Sequence, residues 1–278
     1  MGVELRIIKT KGDTITDRPL AMVGGKGLFV KEIENALLNS EIDMAVHSMK
    51  DMPGKLPEGL CIGAIPAREN PFDVLISKDN LLLADYKRGA KIGTSSLRRA
   101  SQIKHVRPDL TVASIRGNLD TRIKKLKSGE YDAIILAAAG LIRMKQKNQI
   151  TEYLDENIML PAVGQGALCI ETRQNDDQIM PIMDRLNHFD THTCVTGERA
   201  FLRQIKGSCH IPVACYGRVA NQKIILTALV ASEDGREVIK EQMASPIDRV
   251  EDSGKALADT LLEKGGKKIL KNLNLKNG

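Results

Sequence analysis

The sequence feature that most constrains the fold is a strand–turn–helix pattern that recurs between residues 91 and 143. Strand-like runs at Lys91-Ile92, Leu110–Ser114 and Asp132–Ala137 each lead into a polar or glycine-containing turn, and then into a helical segment that carries arginine. Strands connected through helices form parallel sheets, and the turns that follow such strands lie at one edge of the sheet. The pattern therefore predicts an α/β fold whose parallel sheet has one basic edge.

The first of these turns is the strongest candidate for an anion site. Gly93 is followed by Thr94, Ser95 and Ser96, and the helix that begins there carries Arg98 and Arg99. The free N–H groups of a helix start attract anions, and guanidinium groups are suited to carboxylates. Ordinary capping of the helix by the hydroxyl residues is the alternative interpretation.

A second candidate is the stretch from Asp43 to Pro53. An apolar run, Met44-Ala45-Val46, predicts a short buried strand, and Pro53 ends the polar turn that follows it. Lys50 and Asp51 then lie at the carboxyl end of a strand, which is where ligands meet α/β domains. A solvated surface ion pair would give the same spacing.

Composition limits the class of partner. The chain has 278 residues and a formal net charge of +6, so an anionic partner is favoured. Aromatic residues make up 3% of the chain and tryptophan is absent, which leaves few stacking platforms for a nucleic acid. The arginines fall in separate turns, as binding of a small polyanion would require. No apolar stretch approaches the length that spans a membrane.

The cysteines and histidines favour a reduced protein without a metal. Five cysteines are scattered without a C-x-x-C pair, at 61, 169, 194, 209 and 215. This odd set favours the cytoplasm over a disulfide framework, and the N-terminus lacks the pattern of a signal peptide. His188 and His192 are four residues apart, but with Cys194 they do not complete a zinc site, so no metal is predicted.

Proline and glycine punctuation predicts three domains. Crossings are expected near Pro66–Pro71 and at Leu160–Gly166, and the composition shifts from about Ala200. The predicted domains are 1–66 with 167–187, 67–166, and 188–278. The last is expected to be a small α+β domain with a three-stranded antiparallel sheet at 213–219, 224–231 and 237–243. Cys209 precedes this sheet in a loop where its thiol can be reached.

Two further segments lie near the N-terminus. Val3–Ile8 alternates like a strand. Gly24-Gly25-Lys26-Gly27-Leu28-Phe29 forms a glycine-rich loop without Walker A spacing, so a flexible lid is favoured over a phosphate cradle.

Five motifs together resemble the porphobilinogen deaminase (hydroxymethylbilane synthase) family. They are the glycine-rich loop at 24–29, Val46-His47-Ser48-Met49-Lys50-Asp51, Gly93-Thr94-Ser95-Ser96-Leu97-Arg98-Arg99, Leu160-Pro161-Ala162-Val163-Gly164-Gln165-Gly166, and Gly207-Ser208-Cys209. They occur in the family's order over nearly the whole chain. The chain departs from the family pattern at its start, which resembles the family's second strand, so a strand and a helix with two anion-binding residues are expected to be missing.

The resemblance implies a monomeric cytoplasmic transferase of tetrapyrrole biosynthesis, with porphobilinogen as substrate and neither nucleic acid nor membrane as partner. It would join four porphobilinogen units head to tail with release of ammonia, and hydrolysis would release hydroxymethylbilane. The implied fold has two α/β domains like type II periplasmic binding proteins, followed by the α+β domain. The alternative is a non-catalytic two-domain protein that binds carboxylates.

The resemblance also implies roles for particular residues. Cys209 would hold a dipyrromethane cofactor through a thioether, Asp51 would be the catalytic carboxylate, and Lys50 would help to keep it ionised. Phe29 would belong to the lid. The implied cofactor-binding residues are Lys26, Ser48, Thr94, Ser95, Ser96, Arg98, Arg99, Arg116, Gly117 and Arg122. The implied substrate-binding residues are Arg98, Arg116, Arg122 and Arg143.

Overall fold

The computed structural model describes residues 2–8, 10, 30–206 and 211–276. The chain divides into two compact units, Met1–Arg68 with Ala167–His192, and Glu69–Gly166 with Thr193–Gly278. The predicted division into three domains stays a prediction. None of the helices in the described residues is long and apolar enough to cross a membrane.

The elements in these residues follow one another in an α/β order. The helices are α1 (Lys31–Leu38), α2 (Leu97–Val106), α3 (Leu119–Lys127), α4 (Ala138–Arg143), α5 (Met180–Leu186), α6 (Phe189–Gln204), α7 (Val250–Leu261) and α8 (Lys267–Lys276). The strands are β1 (Met44–Ser48), β2 (Leu60–Ala64), β3 (Asp73–Ser77), β4 (Lys91–Gly93), β5 (Thr111–Ala113), β6 (Ala133–Ala137), β7 (Glu152–Leu154), β8 (Leu168–Arg173), β9 (Val213–Ala220), β10 (Lys223–Ala231) and β11 (Val238–Pro246).

The first unit contains a three-stranded sheet of order β1-β8-β2, in which both pairings are antiparallel. Side chains alternate between the two faces of a strand, so a different helix packs on each face of the sheet. On one face, Leu37 of α1 packs with Ala45 and Leu60. On the other, Ile170 packs with Met183 of α5. The sheet is thus covered by α1 on one face and by α5 on the other, and β1 leads from it into the following turn.

The second unit contains a mixed five-stranded sheet of order β5-β4-β6-β3-β7. Strand β4 is parallel to both β5 and β6, so the predicted parallel sheet is correct for these three strands. Two strands outside the predicted repeat, β3 and β7, complete the sheet, and β3 runs antiparallel to both β6 and β7. Apolar runs reveal that a strand exists, whereas its direction depends on the side from which the chain enters the sheet.

The same unit carries the predicted C-terminal sheet, of order β11-β10-β9 with both pairings antiparallel. Asn221 and Gln222 form the tight turn between β9 and β10 and have positive φ angles of 51° and 59°, as the turn of a two-residue hairpin requires. Helix α7 covers one face of this sheet through Leu257 and Leu261. The α/β class and the antiparallel C-terminal sheet are therefore confirmed.

The prediction of a strand at Val3–Ile8 is wrong, because this segment has no strand assignment in the structure. Leu5 and Ile7 are each 91% exposed, and Arg6 forms an ion pair with Glu41 at 3.2 Å. Alternation of apolar residues favours an extended backbone, but a strand also needs a neighbour to which its N–H and C=O groups can bond. Within the described residues this segment has no such neighbour.

One buried carboxylate holds the C-terminal sheet to the segment that leaves the mixed sheet. Glu198 of α6 is fully buried. Its Oε2 accepts a hydrogen bond from the Gly164 N–H at 2.7 Å, and its Oε1 accepts one from the Gly217 N–H at 2.8 Å. The side chain therefore satisfies two backbone donors that are far apart in sequence.

We expect Glu198→Ala to lower the free energy of unfolding by about 2–6 kcal/mol, because each buried N–H left without an acceptor costs about 1–3 kcal/mol. Glu198→Gln keeps one acceptor oxygen, so its free energy of unfolding should lie between those of Glu198→Ala and the unmodified protein. Urea titration followed by circular dichroism measures the change, with exposed Glu263→Ala as the control. Equal midpoints for Glu198→Ala and the control would contradict this account.

Candidate active site

The Lys50–Asp51 turn is anchored by two methionines. Strand β1 ends at Ser48 and passes into a short 3-10 turn, Met49–Asp51. The side chains of Met49 and Met52 are buried, and the Met49 N–H donates a hydrogen bond to the carbonyl of Ala167 at 3.0 Å. Since the methionines face the core, Asp51 is left exposed at the end of the strand, as is Ser48.

The turn perturbs the acidity of its carboxylate. Desolvation by neighbouring protein atoms raises the pKa of Asp51 above its ordinary value, and the positive charge of Lys50 opposes that rise. A cation close to a carboxylate favours the ionised form. Lys50 therefore acts in the direction that the sequence predicts.

In the second unit, the polar turn after β4 forms a hydroxyl-rich helix start. The side chain of Ser96 caps α2 by accepting from the N–H of Arg99. The hydroxyl of Thr94 accepts from the Ser96 N–H at 3.2 Å. Ser95 is exposed, and its hydroxyl lies 2.9 Å from that of Ser114. Capping thus accounts for Ser96 and Thr94, whereas Ser95 extends toward the turn after the neighbouring strand.

Three arginines follow the parallel strands at the same edge of the sheet. Arg116 and Arg143 are exposed, and Arg143 donates to the carbonyl of Gly166 at 2.8 Å. Gly117 has a φ of +113°, a conformation that L side chains rarely adopt. That conformation accompanies a 2.8 Å hydrogen bond from Arg122 Nε to the Gly117 carbonyl. Desolvation lowers the pKa of Arg122, but its guanidinium remains charged at any physiological pH.

Arg98 and Arg99 lie deeper than the other arginines and share one counter-ion. Both side chains are buried and bind Asp73, the first residue of β3, which is fully buried. Arg98 Nη1 lies 2.7 Å from Asp73 Oδ2 and Arg99 Nη2 lies 2.8 Å from Asp73 Oδ1. Arg98 also donates to the Leu160 carbonyl at 2.8 Å, and Gln165 Nε2 donates to Asp73 Oδ1 at 3.1 Å.

The ion cluster sets the charge of Asp73. Burial by itself would raise the pKa of this carboxyl, but the charges of Arg98 and Arg99 and hydrogen bonds from Arg98 and Gln165 outweigh it and lower the pKa to about 2. Burial also lowers the pKa of Arg99, with Arg122 among the positive charges that contribute. The arrangement joins α2, β3 and the 160–165 segment around one negative charge.

The structure therefore brings most of the predicted anion-binding residues to one sheet edge. Thr94, Ser95, Ser96, Arg116, Gly117 and Arg122 lie in the turns after two adjacent parallel strands or in the helices that these turns open. Cys209, Lys26 and Phe29 lie outside the described residues. In the described part of the chain, no group of three or more His, Cys, Asp or Glu side chains is arranged to hold a metal ion.

Sequence reasoning missed Asp73 and Gln165 as partners of the arginines. A signal was available, since Asp73 opens a strongly apolar strand, Val74-Leu75-Ile76, in which all side chains are buried. A buried carboxylate needs a cation. That signal leaves open which of the chain's arginines is the partner.

Replacement of Asp73 by Asn should lower the free energy of unfolding by about 3–5 kcal/mol, because two buried guanidinium groups lose their counter-ion. In the unmodified protein, the stabilisation by this carboxylate is present above pH 3.8 and is lost as the pH falls to about 2. Urea midpoints measured across that range should decline less steeply in Asp73→Asn. Asp79→Asn, an exposed residue of the same unit, is the control, and parallel pH curves would refute the assignment.

Comparison with known proteins identifies the family. Residues 1–181 match the family model described as "Porphobilinogen deaminase, dipyromethane cofactor binding domain". Residues 192–263 match the model "Porphobilinogen deaminase, C-terminal domain". The protein of that name from Geobacillus sp. is 53% identical over 96% of this chain and 86% of its own length. The one from Bacillus subtilis is 53% identical over 96% of this chain and 85% of its own length.

Solved structures give a more distant likeness. The VFT2 domain of Bordetella pertussis BvgS covers 56% of this chain and 66% of its own in two crystal structures. The structure of a double mutant is 17% identical with a TM-score of 0.34, and the other structure is 16% identical with a TM-score of 0.33. A second substrate-binding domain of a putative amino acid ABC transporter from Streptococcus pneumoniae covers 54% of this chain and 67% of its own, with a TM-score of 0.37 and 11% identity.

The protein has an α/β fold with arginines along one sheet edge and a carboxylate in the turn after β1. Its sequence relatives show the family to which it belongs. The chain belongs to the porphobilinogen deaminase family. Its class is that of a transferase of tetrapyrrole biosynthesis, with dipyrromethane as the cofactor. The alternative of a non-catalytic carboxylate-binding protein is not favoured.

The residues present fit that cofactor. A dipyrromethane with acetate and propionate arms is polyanionic, and the edge offers it the exposed Arg116, the partly buried Arg122 and the Ser95 hydroxyl. The two Nη groups of Arg122 have no hydrogen-bond partner among the residues that the structure describes, since its Nε alone binds Gly117. Guanidinium forks of this kind match carboxylates in a bidentate manner.

Proposed function

We propose that the chain condenses four porphobilinogen molecules head to tail, with release of ammonia, and that Asp51 is the catalytic carboxylate. The observation that carries this role is the Lys50–Asp51 turn, in which buried methionines fix a single exposed carboxylate at the end of β1. The family assignment supplies the reaction. We also propose that the protein is a monomer, that it is cytoplasmic, and that it binds neither nucleic acid nor a membrane.

Asp51 stabilises positive charge in this proposal. Loss of ammonia from porphobilinogen leaves a cationic azafulvene, and the coupling step again places positive charge on a pyrrole nitrogen. A fixed carboxylate near that nitrogen stabilises the charge as it develops and can accept the pyrrole N–H proton. Lys50 keeps more of Asp51 ionised at a given pH.

The arginines bind the acid side chains. Each porphobilinogen unit adds one acetate and one propionate, so a site that holds a growing chain needs several separate cations. Arg116, Arg122 and Arg143 supply them from the turn after β5, from α3 and from the end of α4. Arg98 and Arg99 are already paired with Asp73. We propose that they position the start of α2 and also contact the ligand.

Cys209 is assigned as the attachment site of the cofactor, because this cysteine occupies the corresponding position in the family motif. Its thiolate would hold the dipyrromethane through a thioether, and the bound group supplies the pyrrole carbon to which the first substrate is joined. Lys26 and Phe29 would belong to the lid. Thr94, Ser95, Ser96, Ser48 and the Gly117 backbone would complete the cofactor-binding set.

Asp51→Asn should lower kcat by about 10²–10³-fold, because the neutral amide cannot balance the developing positive charge. The arginines bind the acetate and propionate groups of the substrate in this proposal and are unchanged, so KM should change little. Release of ammonia from porphobilinogen measures both parameters, and circular dichroism checks the fold. Glu58→Gln removes an exposed negative charge from the same unit and serves as the matched control. A kcat within twofold of the control would refute the role of Asp51.

Cys209→Ser should abolish covalent attachment of the cofactor. Protein produced with porphobilinogen present should show the mass of a dipyrromethane on the unmodified chain and on Cys61→Ser, but not on Cys209→Ser. Cys61 is the matched control because it is a partly buried free thiol. A thioether mapped by peptide mass spectrometry to any other cysteine would overturn the assignment.

A further inference from the structure

A buried charge cluster lies in the first unit, on the sheet face that α1 covers. His47 Nε2 of β1 is 3.0 Å from Glu171 Oε2 of β8. Glu171 is fully buried, and Glu34 of α1 and His47 are more than nine-tenths buried. The three side chains thus connect a helix and two strands through ionisable groups in an interior from which water is excluded.

The cluster leaves two carboxyl oxygens unsatisfied. Glu34 Oε1 and Glu171 Oε1 are inaccessible to solvent and have no hydrogen-bond partner among the described residues. An unsatisfied buried oxygen is costly, and the cost is far greater if it carries charge. Burial and the negative charge of Glu171 raise the pKa of Glu34, and His47 opposes that rise. A proton on Glu34 removes the charge from its unsatisfied oxygen and so lowers the cost of burying that side chain.

Other charged groups near the cluster are already engaged or are also acidic. On α1, Glu32 has one buried oxygen without a partner in the described residues. On β8, Arg173 binds Asp43 and Asp176 and donates to the carbonyls of Leu37 and Ile42. Beyond β1, the nearest charges in sequence are Lys50 and Asp51. The charged groups that act on the pKa of Glu34 are Glu171, which raises it, and His47, which lowers it.

The position of the cluster connects it to the catalytic turn. His47 and Ala45 lie on the same face of β1, since side chains alternate along a strand, and Ala45 packs with Leu37 of α1. His47 is followed by Ser48 and then by the 3-10 turn that carries Lys50 and Asp51. The contact between His47 and Glu171 therefore lies one residue before the end of the strand from which the Asp51 turn extends.

We propose that Glu34 and Glu171 are positioning residues for the proposed reaction: Glu171 orients His47, Glu34 holds a proton, and the cluster fixes the end of β1 that leads to Asp51. This inference rests on the proposed function for its kinetic consequence, but the proton on Glu34 can be tested without it. Ionisation of Glu34 puts a second negative charge opposite Glu171. Repulsion between the two carboxylates then loosens α1 from β1 and displaces the turn.

The pH dependence follows from the sign of the shift. Glu34 binds its proton more tightly in the folded state than in the unfolded chain, where its pKa is near 4.5. Its contribution to stability is therefore complete below that value and is lost as the pH rises through the raised pKa. Stability and kcat should decline together on the alkaline side of this transition, with KM unaffected because the arginines bind the substrate.

The test compares Glu34→Gln, which mimics the neutral acid, with the unmodified chain and with Glu58→Gln as an exposed charge control. We expect Glu34→Gln alone to move the alkaline fall of kcat and of the urea midpoint to higher pH. We also expect it alone to remove a protonated-carboxyl C=O band from the infrared difference spectrum. Glu171→Gln should lower kcat by about 10–100-fold, because small misplacement of a catalytic group has effects of that size, with KM unchanged and the Cys209 adduct still formed.

Each outcome decides between the parts of the inference. Coincident pH profiles for Glu34→Gln and the unmodified chain, or absence of the infrared band, would overturn the proton on Glu34. Loss of the band with no change in the kcat profile would overturn the positioning role. If the unmodified chain shows the band and the pH-dependent midpoint but does not consume porphobilinogen, the proposed function fails and the proton on Glu34 is supported.

Discussion

The carboxylate of Asp73 forms ion pairs with two guanidinium groups in the interior of the second unit. Removal of one partner from such a cluster leaves an uncompensated buried charge, which proteins tolerate poorly. Through Arg98 and Arg99 this carboxylate holds the first turn of α2, and through Gln165 it holds the segment that leaves the second unit. The polar turn after β4 therefore owes its position to a residue that starts a different strand.

The same pairing explains how several cations can occupy one edge. A group of five unpaired arginines would repel one another and destabilise the fold. Here the two buried arginines share one counter-ion, while Arg116 and Arg143 are exposed and Arg122 is held by a backbone carbonyl. The charge that remains for a polyanionic ligand is thus carried by separate turns, each fixed to a parallel strand.

The first unit presents its functional group in a different way. Among the described residues, two buried methionines, Met49 and Met52, anchor the turn that carries Asp51. This apolar anchoring fixes the backbone of the turn while leaving the carboxylate exposed. The buried charged residues in the described part of this unit, Glu34, His47 and Glu171, lie on the side of the sheet that α1 covers.

The sequence by itself determined the local elements and the family. Helix α3, from Leu119 to Lys127, was predictable because its capping residue and apolar spacing are contained in ten neighbouring residues. Five motifs together, among them those around Asp51 and Ser95, carried the resemblance, which the family models confirm.

Tertiary structure alone decided the direction of β3 and β7, the unpaired state of Val3–Ile8, and the partners of the buried charges. Arg98 meets Asp73 across 25 residues, and His47 meets Glu171 across 124. Local patterns cannot specify such pairs, because a buried charge requires some partner of opposite sign but does not encode which one. That choice is made only when the strands are assembled into a sheet.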